Sequence, residues 1–421
     1  MPRAATGYRP LLRTPGAATF FLTAAVGRVG IVMTGLGLVW LLHARTGSYA
    51  TAGLATAGFA LAEALIGPQL ARLIDQFGQT RILPFCLAAH CAAIVGVLAS
   101  TTPAVAIVAA TFAGAAVPQL GALSAARWAH LLRGERADEL PSAFSLESLA
   151  NATAFLVGPV LVTALGAVGD TALASAIAAA LILGGGAALA AQRRTAPKPA
   201  ERRIAPKPTE RRTAPQLARG SVERAHGERS SLLRLIFLLL ALLNLAIGLY
   251  FGTIGVSITA FAISHEMPGA ATPILAASSL SGLLAGWLYG LRQHRTPARR
   301  QLVFATAYLT GAAVLLPLAP SAIWLAAAVV VTEAAVPPTL VLLNVLTEKA
   351  VHPAALTQAF TWNNSASAAG AALAASLAGR AADTWGASAA LAQAPLAGLI
   401  LLVLSLVLYR AARQSGWSGA A

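Results

Sequence analysis

The feature that most constrains this chain is a recurrence of long apolar stretches, separated by short polar breaks, from Ala17 to Tyr409. A helix needs about 20 apolar residues to cross a hydrocarbon core about 30 Å thick, and stretches of that length recur throughout. Only 11% of the 421 residues are charged, against 57% hydrophobic. A soluble domain carries about 25% charged residues, so a water-facing surface of this size cannot be covered. Buried strands of about 4–8 residues do not account for runs this long, which excludes aqueous α/β and all-β folds. The fold class is all-α and polytopic, with helices predicted near 17–43, 50–74, 82–100, 103–128, 142–166, 170–191, 232–261, 270–291, 301–318, 321–346, 355–379 and 387–409. This divides the chain into a six-helix bundle over 1–191, a polar linker over 192–231 and a second six-helix bundle over 232–421.

The net charge of +15 is distributed topologically. Basic residues sit at helix ends and in the linker, not on one face as a nucleic-acid footprint requires, so no nucleic-acid partner is expected. Cytoplasmic loops carry the excess of Lys and Arg. Placing the N-terminus inside puts Arg3, Arg9, Arg13, Arg72, Arg81, Arg127, Arg133, Arg136, Arg292, Arg295, Arg299, Arg300, Lys349, Arg410, Arg413 and the whole linker in or beside the cytoplasm. Only Arg45 and Arg380 are left outside. Both termini are then cytoplasmic. The N-terminus lacks a short apolar core followed by a cleavage site, so no cleaved signal peptide is expected. Cys86 and Cys91 fall in one apolar block and read as packing residues.

The linker repeats a nine-residue unit: Arg193–Glu201 is followed by Arg202–Glu210, and a third copy begins at Arg211. Its prolines and charges predict an extended, solvated tether. It serves either as a spacer that fixes topology or as an attachment to anionic lipid. The two bundles also repeat. Ala115-Ala116-Val117-Pro118 recurs as Ala334-Ala335-Val336-Pro337 and Arg81 recurs as Arg300, both at an offset of 219; Phe144-Ser145 recurs as Phe360-Thr361 at 216. Offsets this close, in order, indicate parallel six-helix repeats with a site between them near mid-membrane.

Intramembrane ionisable residues face a cavity or a partner because each costs about 2.5–3.5 kcal/mol at the bilayer centre. Arg28 and Glu63 lie at matching depth on the first two helices and could pair. Glu333 lies near mid-depth in the tenth helix with no cation of similar depth in its half; its counterpart in the fourth is Gly114. It is a candidate proton carrier or cation ligand. Glu147 reads as shallower, within reach of water or Arg127. Gln119, Asn151, Asn244, Tyr250, Trp362, Asn363 and Asn364 are candidate pocket residues, with interhelical glue as the alternative. Trp362-Asn363-Asn364 joins an aromatic platform to two amides. His90 reads as a buried neutral histidine. No residues have metal-ligand spacing with it, so neither a metal nor a cofactor is expected. Gly158-Pro159, Pro118 and Pro337-Pro338 mark kinks or close helix contacts.

The loop Gly67-Pro68-Gln69-Leu70-Ala71-Arg72-Leu73-Ile74-Asp75-Gln76-Phe77-Gly78-Gln79-Thr80-Arg81 resembles the signature loop of the major facilitator superfamily. Asp75, Gly78 and Arg81 match; Ala71 stands for a glycine, and Gln76 and Thr80 for basic residues. The resemblance implies that these three matching residues clip the two halves together in the outward-facing state. The stretches Ala126–Ala129, Ala143–Ser148 and Phe155–Pro159 are similar to a mainly actinobacterial group described as drug or sugar efflux permeases. Members of that group often carry an acid where this chain has Asn151. Of the antiporter signature only Gly158-Pro159 is present, and Ala116 stands near the place of the arginine linked to proton transfer.

Together these readings lead to a secondary transporter in a bacterial cytoplasmic membrane, a monomer that moves an unidentified small molecule by alternating access, with proton-coupled efflux favoured. The alternatives are an uptake permease or uniporter of the same fold, and a membrane receptor or scaffold that binds without transport. No His/Asp constellation or nucleophile elbow supports an enzyme.

Overall fold

A computed structural model of the chain describes residues 7–167, 171–199, 216–292 and 296–414. Within them the backbone is helical, with no strand. A short α1 (Tyr8–Arg13) precedes three long helices, α2 (Ala17–Thr46), α3 (Tyr49–Phe77) and α4 (Gln79–Ala99). The fourth span is divided into α5 (Pro103–Ala116) and α6 (Leu120–Leu131), and α7 (Leu140–Ala167) and α8 (Thr171–Ala191) follow. The second set begins with α9 (Gln216–Ser264), α10 (Ala271–Leu291) and α11 (Ala298–Ala313). Its fourth member is again divided, into α12 (Ala322–Glu333) and α13 (Val336–Ala350). It ends with α14 (Leu356–Trp385), the short α15 (Ala387–Leu391) and α16 (Gln393–Gln414). All twelve expected helices are present, in two six-span pseudo-repeats.

Ten of these spans are long and apolar enough to cross a membrane on those grounds alone, counted among the described residues. The other two are α11, which has only 16 residues, and α14, whose first half carries Thr357, Thr361, Asn363, Asn364, Ser365 and Ser367. That polarity suits a helix that faces other helices more than lipid.

Local chemistry sets the breaks. Thr102 caps α5 by accepting from the Val105 amide at 3.4 Å, with Pro103 in the first turn, where its missing donor does no harm. Val117 is extended, at φ −61° and ψ 125°, and Pro118 follows it, ending α5. In the second repeat Pro337 and Pro338 fall in the first turn of α13, so that helix restarts after Ala334-Ala335. Both fourth spans therefore break at the repeated Ala-Ala-Val-Pro.

Close helix contacts rest on glycine, as expected where lipid supplies no hydrophobic drive for association. A Cβ on Gly30 would press on the backbone of Ala178 and Ile182, and one on Gly185 on the backbone of Thr23 and Gly27, so α2 and α8 touch main chain to main chain. The same holds between α9 and α14, where Gly248 and Gly252 meet the carbonyls of Ser367 and Ala371. Gly158 lies against Val32 and Met33, so the Gly-Pro of α7 makes a close contact with α2.

The linker expectation needs correction at both ends. Its first residues are packed, with Thr195 buried against the first six spans. From Gln216 the chain is already helical. The stretch 216–231 contains no proline, so nothing interrupts helix propagation there. Residues 200–215, with the whole second repeat copy and the start of the third, lie outside the described residues.

Replacing Gly252 with valine should destabilise the protein by about 1–3 kcal/mol, the usual range for overpacking. Gly255, one turn away and with open space at its Cβ position, should accept alanine without loss. Thermal unfolding of the two variants in the same detergent checks this.

Candidate functional site

One buried polar cluster of the first repeat joins three helices. Arg28 on α2 and Glu147 on α7 form an ion pair, both almost wholly buried. Arg28 Nη1 also donates to the Glu147 backbone carbonyl at 3.1 Å, and Ser124 on α6 donates to Glu147 Oε1 at 2.6 Å. Gly121 on α6 leaves room for the guanidinium: a Cβ there would lie 3.4 Å from Arg28 Nε. The predicted partnership of Arg28 with Glu63 is therefore wrong, and Glu147 is a buried partner, not a shallow acid. Nor does Arg127 reach Glu147. It is itself buried and donates to Gln79 Oε1 at 2.8 Å, the Leu189 carbonyl at 2.8 Å, the Gln192 carbonyl at 3.0 Å and Thr195 Oγ1 at 2.8 Å. It thus ties the start of α4 to the end of α8.

Glu63 finds a neutral partner. Gln119, in the break between α5 and α6, donates to Glu63 Oε1 at 2.8 Å. Two predicted cavity residues are thereby brought together. In the second repeat Tyr250 on α9 donates to Glu333 Oε1 at 3.2 Å, with both side chains buried. Again two predicted residues meet. Among the described residues neither Glu63 nor Glu333 forms an ion pair; the pairs present are Arg28–Glu147 and Arg136–Glu139.

The two acids occupy exchanged positions. Residue 63 corresponds to Gly282 at the 219 offset, and Glu333 corresponds to Gly114. A Cβ on Gly114 would collide with the Phe59 backbone, so no side chain fits there, whereas Gly282 leaves a Cβ position 4.0 Å from Glu333 Oε2. Each repeat thus keeps one carboxylate at the contact of its second and fourth spans, on opposite members of the pair.

The remaining candidates separate. Asn363 is buried and donates to Thr347 Oγ1 at 2.8 Å, while Trp362 and Asn364 are exposed. Consecutive helical residues point about 100° apart, so the trio is not a single platform. Asn244 donates to the carbonyl of Leu240 on its own helix at 2.8 Å, which is packing chemistry. Asn151 is exposed. His90 bonds through Nδ1 to the Ala113 carbonyl at 2.8 Å, near the C-terminal end of α5.

At the end of the bundle that holds the linker, helix termini join the two repeats. Asp75 Oδ2 accepts from the Gln358 amide at 2.9 Å, placing a carboxylate in the first turn of α14, where amides are unpaired and the dipole is positive. At α10 the polarity is reversed: Tyr8 donates to the Trp287 carbonyl at 2.8 Å and to that of Gly286 at 3.2 Å, and Ser142 donates to that of Gly290 at 2.6 Å. The Gly290 carbonyl is in the last turn, where carbonyls seek donors, while Tyr8 adds a second donor to carbonyls one turn earlier. Burial pushes the Tyr8 hydroxyl up to about 12, partly offset by its hydrogen bond with Ser145, so it remains a neutral donor at physiological pH. Phe144 and Phe360, the repeat equivalents, stack edge to face with centroids 5.8 Å apart. Gly78 takes φ +96°, a conformation that favours glycine, with Pro199 beside it. Arg81 is exposed. Tyr8, Ser142 and Ser124 escaped sequence reasoning, since isolated hydroxyls carry no spacing signal.

A family model for the Major Facilitator Superfamily matches residues 20–375. The chain belongs to the Major Facilitator Superfamily. Its family and fold make it a membrane transporter, not an enzyme. No curated protein sequence matches it. Among solved structures it is similar to the human organic anion transporter MFSD10 (TETRAN), at 15% identity and TM-score 0.64, covering 94% of this chain and 99% of that one. It is also similar to a bacterial homologue of the iron transporter ferroportin in an outward-facing state, at 12% identity and TM-score 0.66, covering 93% and 98%. A third is the transporter FucP in the outward conformation, at 12% identity and TM-score 0.65, covering 94% and 99%. At these identities the likeness is one of fold.

Removing one member of a buried ion pair leaves the other uncompensated, at a cost of about 3–5 kcal/mol. Arg28→Met should therefore unfold at markedly lower temperature, and the double variant Arg28→Met/Glu147→Leu should recover most of the loss. Glu63→Gln should not change either result, and a double-mutant cycle on melting temperature reads all of these. Asp75→Ala removes a charge-assisted bond worth about 1.5–3 kcal/mol. In a background with Cys86 and Cys91 replaced by serine, it should raise maleimide labelling of a cysteine placed at the buried Phe360 by about tenfold or more.

Proposed function

We propose that this protein is a proton-coupled exporter of a small molecule across a bacterial cytoplasmic membrane. In this reading two six-helix halves, 1–191 and 232–421, rock about a central site while both termini remain in the cytoplasm. The observation that carries the reading is Glu333, buried against Tyr250 with no ion pair among the described residues. An ionised carboxylate is costly in hydrocarbon, and proton binding removes that cost while weakening the charge-assisted Tyr250 bond, which eases rearrangement. Arg28 does not neutralise the site, because Glu147 already holds it. Glu63, bonded to neutral Gln119, adds a second acid, and the pair of acids suits protons or a cationic group on the substrate.

Asp75 at the start of α14 and Tyr8 at the end of α10 are the contacts that hold the halves closed on the cytoplasmic side in this reading. Opening that side exposes both helix ends. The efflux direction is supported by the resemblance of Ala126–Ala129, Ala143–Ser148 and Phe155–Pro159 to bacterial efflux permeases.

Proteoliposome flux under an imposed pH gradient is the decisive measurement. Glu333→Gln should abolish gradient-driven transport while preserving substrate exchange at equal pH, and Tyr250→Phe should weaken coupling less. Full gradient-driven flux in Glu333→Gln would remove this residue from the coupling step. Accumulation of substrate inside intact cells would reverse the assigned direction.

A further inference from the structure

On the first six spans, the beginning of α4 and the end of α8 face each other near the start of the linker. They leave a groove of about 620 Å³, within the range of about 300–1,000 Å³ typical of ligand sites. Pro84, Leu87 and Ala88 line one side and Leu183 and Ala187 the other, with Arg193 at the mouth. The walls are apolar because the α8 face is made of alanine and leucine, and Gly186 lets α8 pack tightly onto Leu87. Polar chemistry is confined to one end. This is an amphipathic site, apolar along its length and cationic at its mouth.

Arg193 is held there by its neighbours. Its amide donates to the Ala191 carbonyl at 3.1 Å, and the residues that flank it, Gln192 and Thr195, both accept from the buried Arg127 guanidinium. The backbone at the mouth is therefore fixed while the Arg193 side chain is exposed. The stretch 192–200 contains Arg193, Arg194 and Lys198 and no acid, so the local field selects a negative headgroup. A guanidinium matches phosphate oxygens in a bidentate fork.

We propose that this groove binds one anionic phospholipid of the surrounding membrane, an acyl chain lying between α4 and α8 and its phosphate on Arg193. The inference rests on the chain being a membrane protein and not on proton coupling or transport direction, so it stands or falls separately from them. Site occupancy would fasten the beginning of the linker to the lipid surface.

Native mass spectrometry of the full chain, released from detergent with equal amounts of phosphatidylglycerol and phosphatidylcholine of matched chains, tests it. One phosphatidylglycerol should be retained preferentially. Arg193→Gln should lower that retention about fivefold, the factor one basic residue near an anionic surface is worth, while the exposed Arg410→Gln should leave it unchanged. A photo-reactive residue at Ala187 should crosslink to phosphatidylglycerol in an otherwise unaltered chain, which keeps the test independent of any folding defect. Equal retention of the two lipids, indifference to Arg193→Gln, or a crosslink from position 187 to the chain's own residues 200–215 would overturn the proposal.

Discussion

Inside hydrocarbon no water is present to satisfy a polar group, and this structure is organised around that lack. Each intramembrane charge or amide must find its partner on another helix or on its own backbone. Arg28 reaches across to Glu147 and Ser124, and Glu63 reaches Gln119 at a break in the fourth span. Arg127 collects acceptors from the ends of two helices and the start of the linker. Each partnership fixes where helices meet, so the polar residues specify the bundle that the apolar residues merely place in the membrane.

The same logic governs the helix ends where the repeats meet. Asp75 sits on an unpaired amide in the first turn of α14, Ser142 on a last-turn carbonyl of α10, and Tyr8 on carbonyls one turn before it. The Asp75 and Ser142 contacts use groups that every helix terminus exposes, which makes them easy to form and to release. They contrast with the Arg28–Glu147 pair, which lies deep within one repeat and is expensive to break.

Much of the fold was legible because it depends on length and repetition. Apolar blocks located the helices, and Ala-Ala-Val-Pro located the breaks in both fourth spans. The site was less legible. Depth arithmetic put Arg28 and Glu63 at the same level, but depth says nothing about which way a side chain points around its helix. On helices that are apolar all round, periodicity cannot supply that direction. Trp362, Asn363 and Asn364 show the same limit, since neighbours in sequence were read as neighbours in space. Glu333 with Tyr250 and Glu63 with Gln119 were readable as a set of polar residues but not as pairs. The linker misled for another reason: its composition suggested solvent, while the acceptors required by the buried Arg127 drew its first residues inward.

The exchange of acid and glycine between Glu63 and Gly282, and between Gly114 and Glu333, sets backbone and charge at odds. Rotating one half onto the other would superimpose the helices yet lay each carboxylate on a residue with no side chain. The two halves are therefore not interchangeable in charge, whatever the symmetry of the scaffold around them.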